Sequence, residues 1–121
     1  MATEIRTIIF TQEEVLRSVT AFRKLKSKPL PPGTVFKYSL HGNPTIHLGL
    51  AIAVDGEERL ESVDITGKEL GAALVMFCIE NKIPLPARNA TKSLRVFGKN
   101  LSLVISINAT QQQLEAFTPV G

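Results

Sequence analysis

Apolar and polar residues alternate along several short stretches of this chain and recur at helical spacing along two others. Ile46, Leu48, Leu50, Ile52 and Val54 occupy every second position, as on a half-buried strand. Leu101, Leu103, Ile105 and Ile107 do the same. Short β-branched runs at 4–10, 34–40, 59–65 and 93–97 predict four more strands. Val15, Val19, Phe22 and Leu25 recur three or four apart, which predicts a helix with one apolar face. It opens with T-Q-E-E from Thr11, a capping box in which Glu14 reaches back. Glu13 and Glu14 at its start and Arg23, Lys24 and Lys26 near its end suit the helix dipole. Pro29, Pro31 and Pro32 forbid continuation. A second helix is predicted from Thr66 to Lys82, opening with T-G-K-E and stopped by Pro84 and Pro86. H-G-N-P at 41–44, Asp55-Gly56 and Gly98-Lys99-Asn100 are turn signals.

The order strand, capped helix, P-L-P, strand, turn, strand occurs twice. Between 11–31 and 66–86 six of 21 positions are identical without a gap: Thr11/Thr66, Glu14/Glu69, Phe22/Phe77, Pro29/Pro84, Leu30/Leu85 and Pro31/Pro86. Self-similarity at a fixed offset marks a repeated supersecondary unit. The expected fold is α+β, a duplicated βαββ unit with pseudo-twofold symmetry, two helices and six mainly antiparallel strands. One domain spans 1–121, with units at about 4–54 and 59–108 and a tail at 109–121. Neither unit buries its apolar faces alone, so the halves should share a core. The pattern leaves open whether the strands form one open sheet or curl into a barrel.

The halves differ on the outward face of the helices. The first carries Arg17, Thr20 and Lys24 there, an ordinary solvated face. The matching positions of the second are Ala72, Val75 and Ile79, with Met76 alongside. A helix apolar all round needs cover on both sides. Three covers are possible: the rest of the monomer, including a tail with Leu114, Phe117 and Val120; a second copy of the chain; or a different protein.

Charge sharpens this picture. The net charge of +3 divides into +4 over 1–44, −5 over 45–80 and +4 over 81–121. Such alternation suits charge matching between copies as well as nucleic acid. Lys82, Arg88, Lys92, Arg95 and Lys99 form one basic group at 82–99, and Arg23, Lys24, Lys26 and Lys28 form another at 23–28, each beside a P-L-P loop. The acidic hairpin Asp55, Glu57, Glu58, Glu61 and Asp64 would repel phosphate, or attract the basic loops of another molecule. Stacking platforms for bases are few, with no Trp and one Tyr.

Catalytic signals are sparse. One cysteine, Cys78, excludes an internal disulfide and is expected as a buried thiol within the second helix. His41 and His47 lie across a turn and approach one another if it closes, with Asp55 or Asp64 as further candidate ligands. No metal is assigned on that pattern, since a metal site needs matched ligands and a second shell. Gly67 and Lys68 at a helix start offer amides to an anion, but the capping box competes for them. No nucleotide or hydrolase fingerprint occurs, and no cofactor is expected. The apolar run Ile8–Phe10 is too short for a signal core, and no stretch suits a membrane crossing, so a cytoplasmic location is expected.

The leading expectation is a small non-enzymatic binding or regulatory module that self-associates as a homodimer through Ala72, Val75, Met76 and Ile79. The alternatives are a nucleic-acid-binding protein using the basic loops (Lys26, Lys28, Lys82, Arg88, Lys92, Arg95, Lys99), binding of those loops to an acidic protein surface, and an enzyme with a site between the halves at His41, His47 or Asp64.

Overall fold

The computed structural model describes residues 4–43, 45–85 and 90–107. Its order is β1 (Glu4–Phe10), α1 (Gln12–Leu25), β2 (Gly33–His41), β3 (His47–Val54), β4 (Leu60–Thr66), α2 (Gly67–Glu80), β5 (Thr91–Phe97) and β6 (Asn100–Ile107). The fold is α+β, and all four strand pairings are antiparallel. The strands form neither one sheet nor a barrel. They make two open three-stranded sheets, ordered β1-β6-β5 and β2-β3-β4.

This arrangement explains how the repeat works. Each sheet takes a hairpin from one half and the first strand from the other. β6 pairs β1, with Phe10 opposite Leu101; β3 pairs β4, with Ile65 opposite Leu48. Phe10 and Ile65 are equivalent in the repeat, and so are the strands they meet. Exchange of first strands ties the two halves into one core.

The helix ends repeat in atomic detail. Thr11 and Thr66 are both extended N-caps whose hydroxyls accept from the amides of Glu14 and Glu69. At the other end Lys28 N donates to Arg23 O and Ile83 N to Cys78 O, at 2.9 and 2.8 Å. The turns pass through Ser27 at φ 59° and Lys82 at φ 55°, two non-glycine residues in the left-handed region at equivalent positions. Such closure satisfies helix-end carbonyls before the prolines take over.

The core gathers Phe10, Val15 and Val19 from the first half with Leu70, Leu74 and Phe77 from the second, over Leu48, Leu50, Ile52, Leu101, Leu103 and Ile105 of the two central strands. Phe10 and Phe77 meet edge to face at 5.8 Å. α1 packs on β1 and β6, α2 on β3, β4 and β5, and the helices on each other. Leu25 departs from the sequence expectation: it is exposed at the helix end, while Ser18 joins the buried face by donating its hydroxyl to Glu14 O at 2.7 Å. That internal bond satisfies a polar group that would otherwise be costly to bury.

Symmetry fails in three places. The second capping box is half made, because the Glu69 carboxylate turns to Arg23 of α1 (2.7 and 3.2 Å) instead of returning to Thr66. The turn between β2 and β3 has five residues (42–46), whereas β5 and β6 are joined by Gly98 and Lys99 alone. Gly98 sits at φ 62°, a conformation glycine adopts without strain. Finally, β6 is buried on both faces at Ser102, Val104 and Ser106, while the equivalent Gly49, Ala51 and Ala53 of β3 are half-exposed.

Candidate interaction surface

The outward flank of α2 borders a groove of about 1180 Å³. Gly71, Ala72, Val75, Met76 and Ile79 supply its helical wall, Leu94 and Leu103 its depth, and Ile46 part of the opposite edge. Sequence patterning had singled out Ala72, Val75, Met76 and Ile79, and all four line this groove. Among the described residues the flank is covered only in part: Val75 and Met76 are half-buried, while Ala72 is exposed and Ile79 is 66% exposed. The opposite side of α2 is the core face, with Leu70, Ala73, Leu74, Phe77 and Cys78 buried. The tail at 109–121, one of the expected covers, lies outside the described residues.

The groove has a polar end. Thr45, His47, Asp64, Thr66, Lys68 and Lys92 border it, mixing both signs of charge. Close packing fixes this end: a Cβ on Gly67 would lie 2.8 Å from Ile46 O, so the residue after the cap has room for nothing larger than hydrogen. His47 and Asp64, proposed from sequence for an enzyme between the halves, both reach this end. No hydrogen bond joins them among the described residues; His47 Nδ1 instead donates to Thr45 O at 3.0 Å. The lining is mainly apolar along α2, with its polar groups gathered at this end.

The basic residues do not share one face. Lys92 lines the apolar groove, as Leu94 does. Arg95 pairs with Ser102, and Lys92 with Ile105, so strand alternation sends the two side chains to opposite faces of their sheet. Lys99 lies in the β5–β6 turn, where its carbonyl accepts from Tyr38 at 3.3 Å. Lys26 and Lys28 are exposed beside a small cleft with Phe22, Arg23 and Glu69, and Lys26 Nζ sits 5.6 Å from the Phe22 ring centre. Lys82 is exposed just beyond α2. Arg88 lies outside the described residues. In the acidic hairpin Arg59 donates to both Glu57 and Glu61, which raises its pKa and holds three of the hairpin charges to one another.

His41 and His47 do meet. They are a directly opposed cross-strand pair, with rings stacked at 4.6 Å between centres and 22° between planes. Asp64 lies on the third strand of the same sheet, opposite Gly49. Asp55 lies in the turn between β3 and β4. Among the described residues no group of three or more His, Cys, Asp or Glu is placed to hold a metal ion.

Cys78 is fully buried, and burial pushes its thiol pKa up, against a smaller opposing effect of the Arg6 charge. A thiol held protonated in apolar surroundings is a packing residue. Burial likewise pushes the Tyr38 phenol up to about 12. Among the described residues no helix is long and apolar enough to cross a membrane. No protein-family model, curated protein or solved structure matches this chain.

Proposed function

We propose that the protein is a non-enzymatic binding module that works as a homodimer, with the α2 groove as the contact between copies. The observation that carries this is the apolar flank of α2 beside an open groove, with Val75 and Met76 half-buried and Ala72 and Ile79 exposed. Contiguous apolar surface of this kind marks an interaction site.

The flank suits a second copy because it is complementary to itself. In a twofold contact residue i meets j and j meets i. Gly71 lies four residues before Val75 and Ile79 four residues after it, on one helical stripe. An antiparallel α2 pair with its axis at Val75 sets each Ile79 over the other copy's Gly71, where the missing side chain opens the groove. The rim carries Asp64 together with Lys68 and Lys92, so charges of opposite sign are available to both copies. A standard interface takes roughly 800 Å² per partner, about a tenth of the 7728 Å² surface of this chain. Nucleic-acid binding remains the alternative. The division of Lys92 and Arg95 between opposite faces speaks for it less strongly.

The test is solution mass by light scattering for the parent chain and for Ile79→Glu, with circular dichroism to establish that the variant is folded. A dimeric parent and a folded monomeric variant support the proposal. A monomeric parent contradicts it.

A further inference from the structure

The two sheets differ on the faces turned away from the core. In the sheet β1-β6-β5 the core takes Leu101, Leu103 and Ile105 from one side of the central strand. On its other side Ser102, Val104 and Ser106 are only 0%, 3% and 3% exposed. The neighbouring strands do not supply this cover. Val104 is paired with Thr7 and Ser93, which are too short to close over it, and Thr7 is itself exposed. In the other sheet Gly49, Ala51 and Ala53 hold the equivalent places and are half-exposed. Ser102 Oγ is buried with no hydrogen-bond partner among the described residues, and a hydroxyl in that state requires one from whatever lies over the face. The burial is that of a single chain, so the cover belongs to the same chain.

We propose that residues 109–121 cover this face as a third, short helix laid back along β6. β6 ends at Ile107, so the segment starts at the Ser106 end of the buried row. Thr110 to Gln113 (T-Q-Q-Q) repeats the capping pattern of Thr11 and Thr66, and Thr118-Pro119 is a helix stop. Leu114 and Phe117, three apart, share one side of such a helix, with Gln112 and Glu115 on the other. A helix over 111–117 rises about 10 Å, close to the row from Ser102 to Ser106, about 13 Å of strand. A helix is about 10 Å wide, and strands are about 4.8 Å apart. One helix therefore closes over the central strand and leaves the edges open, as the 52% exposure of Ile9 on β1 requires. The other segments outside the described residues, 1–3, 44 and 86–89, are too short to span the row.

The apolar residues of the tail are thereby spent on the β1-β6-β5 sheet and not on α2. The α2 groove stays open to a second copy, and the cover itself does not depend on dimerisation.

The experiment is thiol labelling of the full chain carrying Ser102→Cys, with Ala51→Cys on the uncovered sheet as reference. Cys78 is buried, and the parent chain supplies its background. Circular dichroism checks that each variant is folded. Ser102→Cys should label at least about tenfold more slowly than Ala51→Cys, and the further change Phe117→Glu should remove most of that protection. Nuclear Overhauser contacts between the Phe117 ring and the Val104 methyl groups of the parent chain are a second readout, free of any substitution. Labelling of Ser102→Cys as fast as Ala51→Cys overturns the proposal, and so does protection that survives Phe117→Glu in a folded chain. Contacts of Phe117 with Val75 or Ile79 in place of Val104 also overturn it, by placing the tail on α2.

Discussion

α1 and α2 begin on the same threonine cap, end on the same left-handed turn, and bury the same stripe. They differ on the side that faces away from the core. Where α1 presents Arg17, Thr20 and Lys24 to water, α2 presents Ala72, Val75 and Ile79. Part of the difference is packing, since α2 also meets β5 and Val75 is half-buried where Thr20 is exposed; Ala72 and Ile79, both exposed, go beyond what packing asks. A duplicated structure separates the two demands on a sequence: residues alike in both halves build the domain, and residues unlike in equivalent places are free to do something else. The same comparison sets the histidine neck against Phe97–Asn100, and the Glu14 box against a Glu69 drawn off by Arg23.

The largest effects should come from the shared stripe. Leu74→Ala, which empties a fully packed position, should cost about 3 kcal/mol in denaturant unfolding. Its equivalent Val19→Ala should cost less, because fewer methyl groups are removed. The unlike flank should behave oppositely. Ile79→Glu, at an exposed position, should leave the monomer fold intact while weakening dimerisation about 100-fold, about 2.7 kcal/mol, by sedimentation or light scattering. Thr20→Glu and Lys24→Glu, on the matching flank of α1, should leave the mass unchanged.

Smaller effects should follow the caps. Thr11→Ala should cost about 1 kcal/mol, and more than Thr66→Ala, because only the first box is complete. Arg23→Gln releases Glu69 to close its own box, so it should cost under about 0.5 kcal/mol, with the Glu69 carboxylate found on the Thr66 amide by crystallography. The smallest effect near neutral pH is that of Tyr38. Folding favours its neutral form, so the pKa rises from about 10 in the unfolded chain to about 12. This contribution is whole below pH 10 and is lost as pH rises towards 12. As the chain has one Tyr and no Trp, ultraviolet absorbance of the phenolate reports it directly. Ionisation complete near pH 10 would show the ring to be solvated.

The element order, the repeat and the odd flank of α2 were all legible in the sequence, because apolar periodicity and capping residues are local signals. Ala72, Val75, Met76 and Ile79 stood out because one helix could be compared with another in the same chain. The exchange of β1 and β4 between sheets was not legible. Strand pairing over nearly a hundred residues, as between Glu4 and Ile107, leaves no mark in either strand's own pattern. Nor was the Arg23–Glu69 bond, which depends on how the helices cross and which undoes a capping box that reads as complete. The basic residues misled for a similar reason: proximity in sequence suggested one patch, yet strand alternation sends Lys92 and Arg95 to opposite faces. The approach of His41 to His47 was foreseeable from the turn between them, but not the stacking of their rings or the contact of His47 Nδ1 with the Thr45 carbonyl.

The most direct test of the central claim is the solution mass of the parent chain by light scattering at low and at high salt. An apolar α2 contact predicts twice the 13.2 kDa chain mass at both. A 13.2 kDa species at both salts would contradict it, and the exposed flank of α2 would then not join copies of this chain.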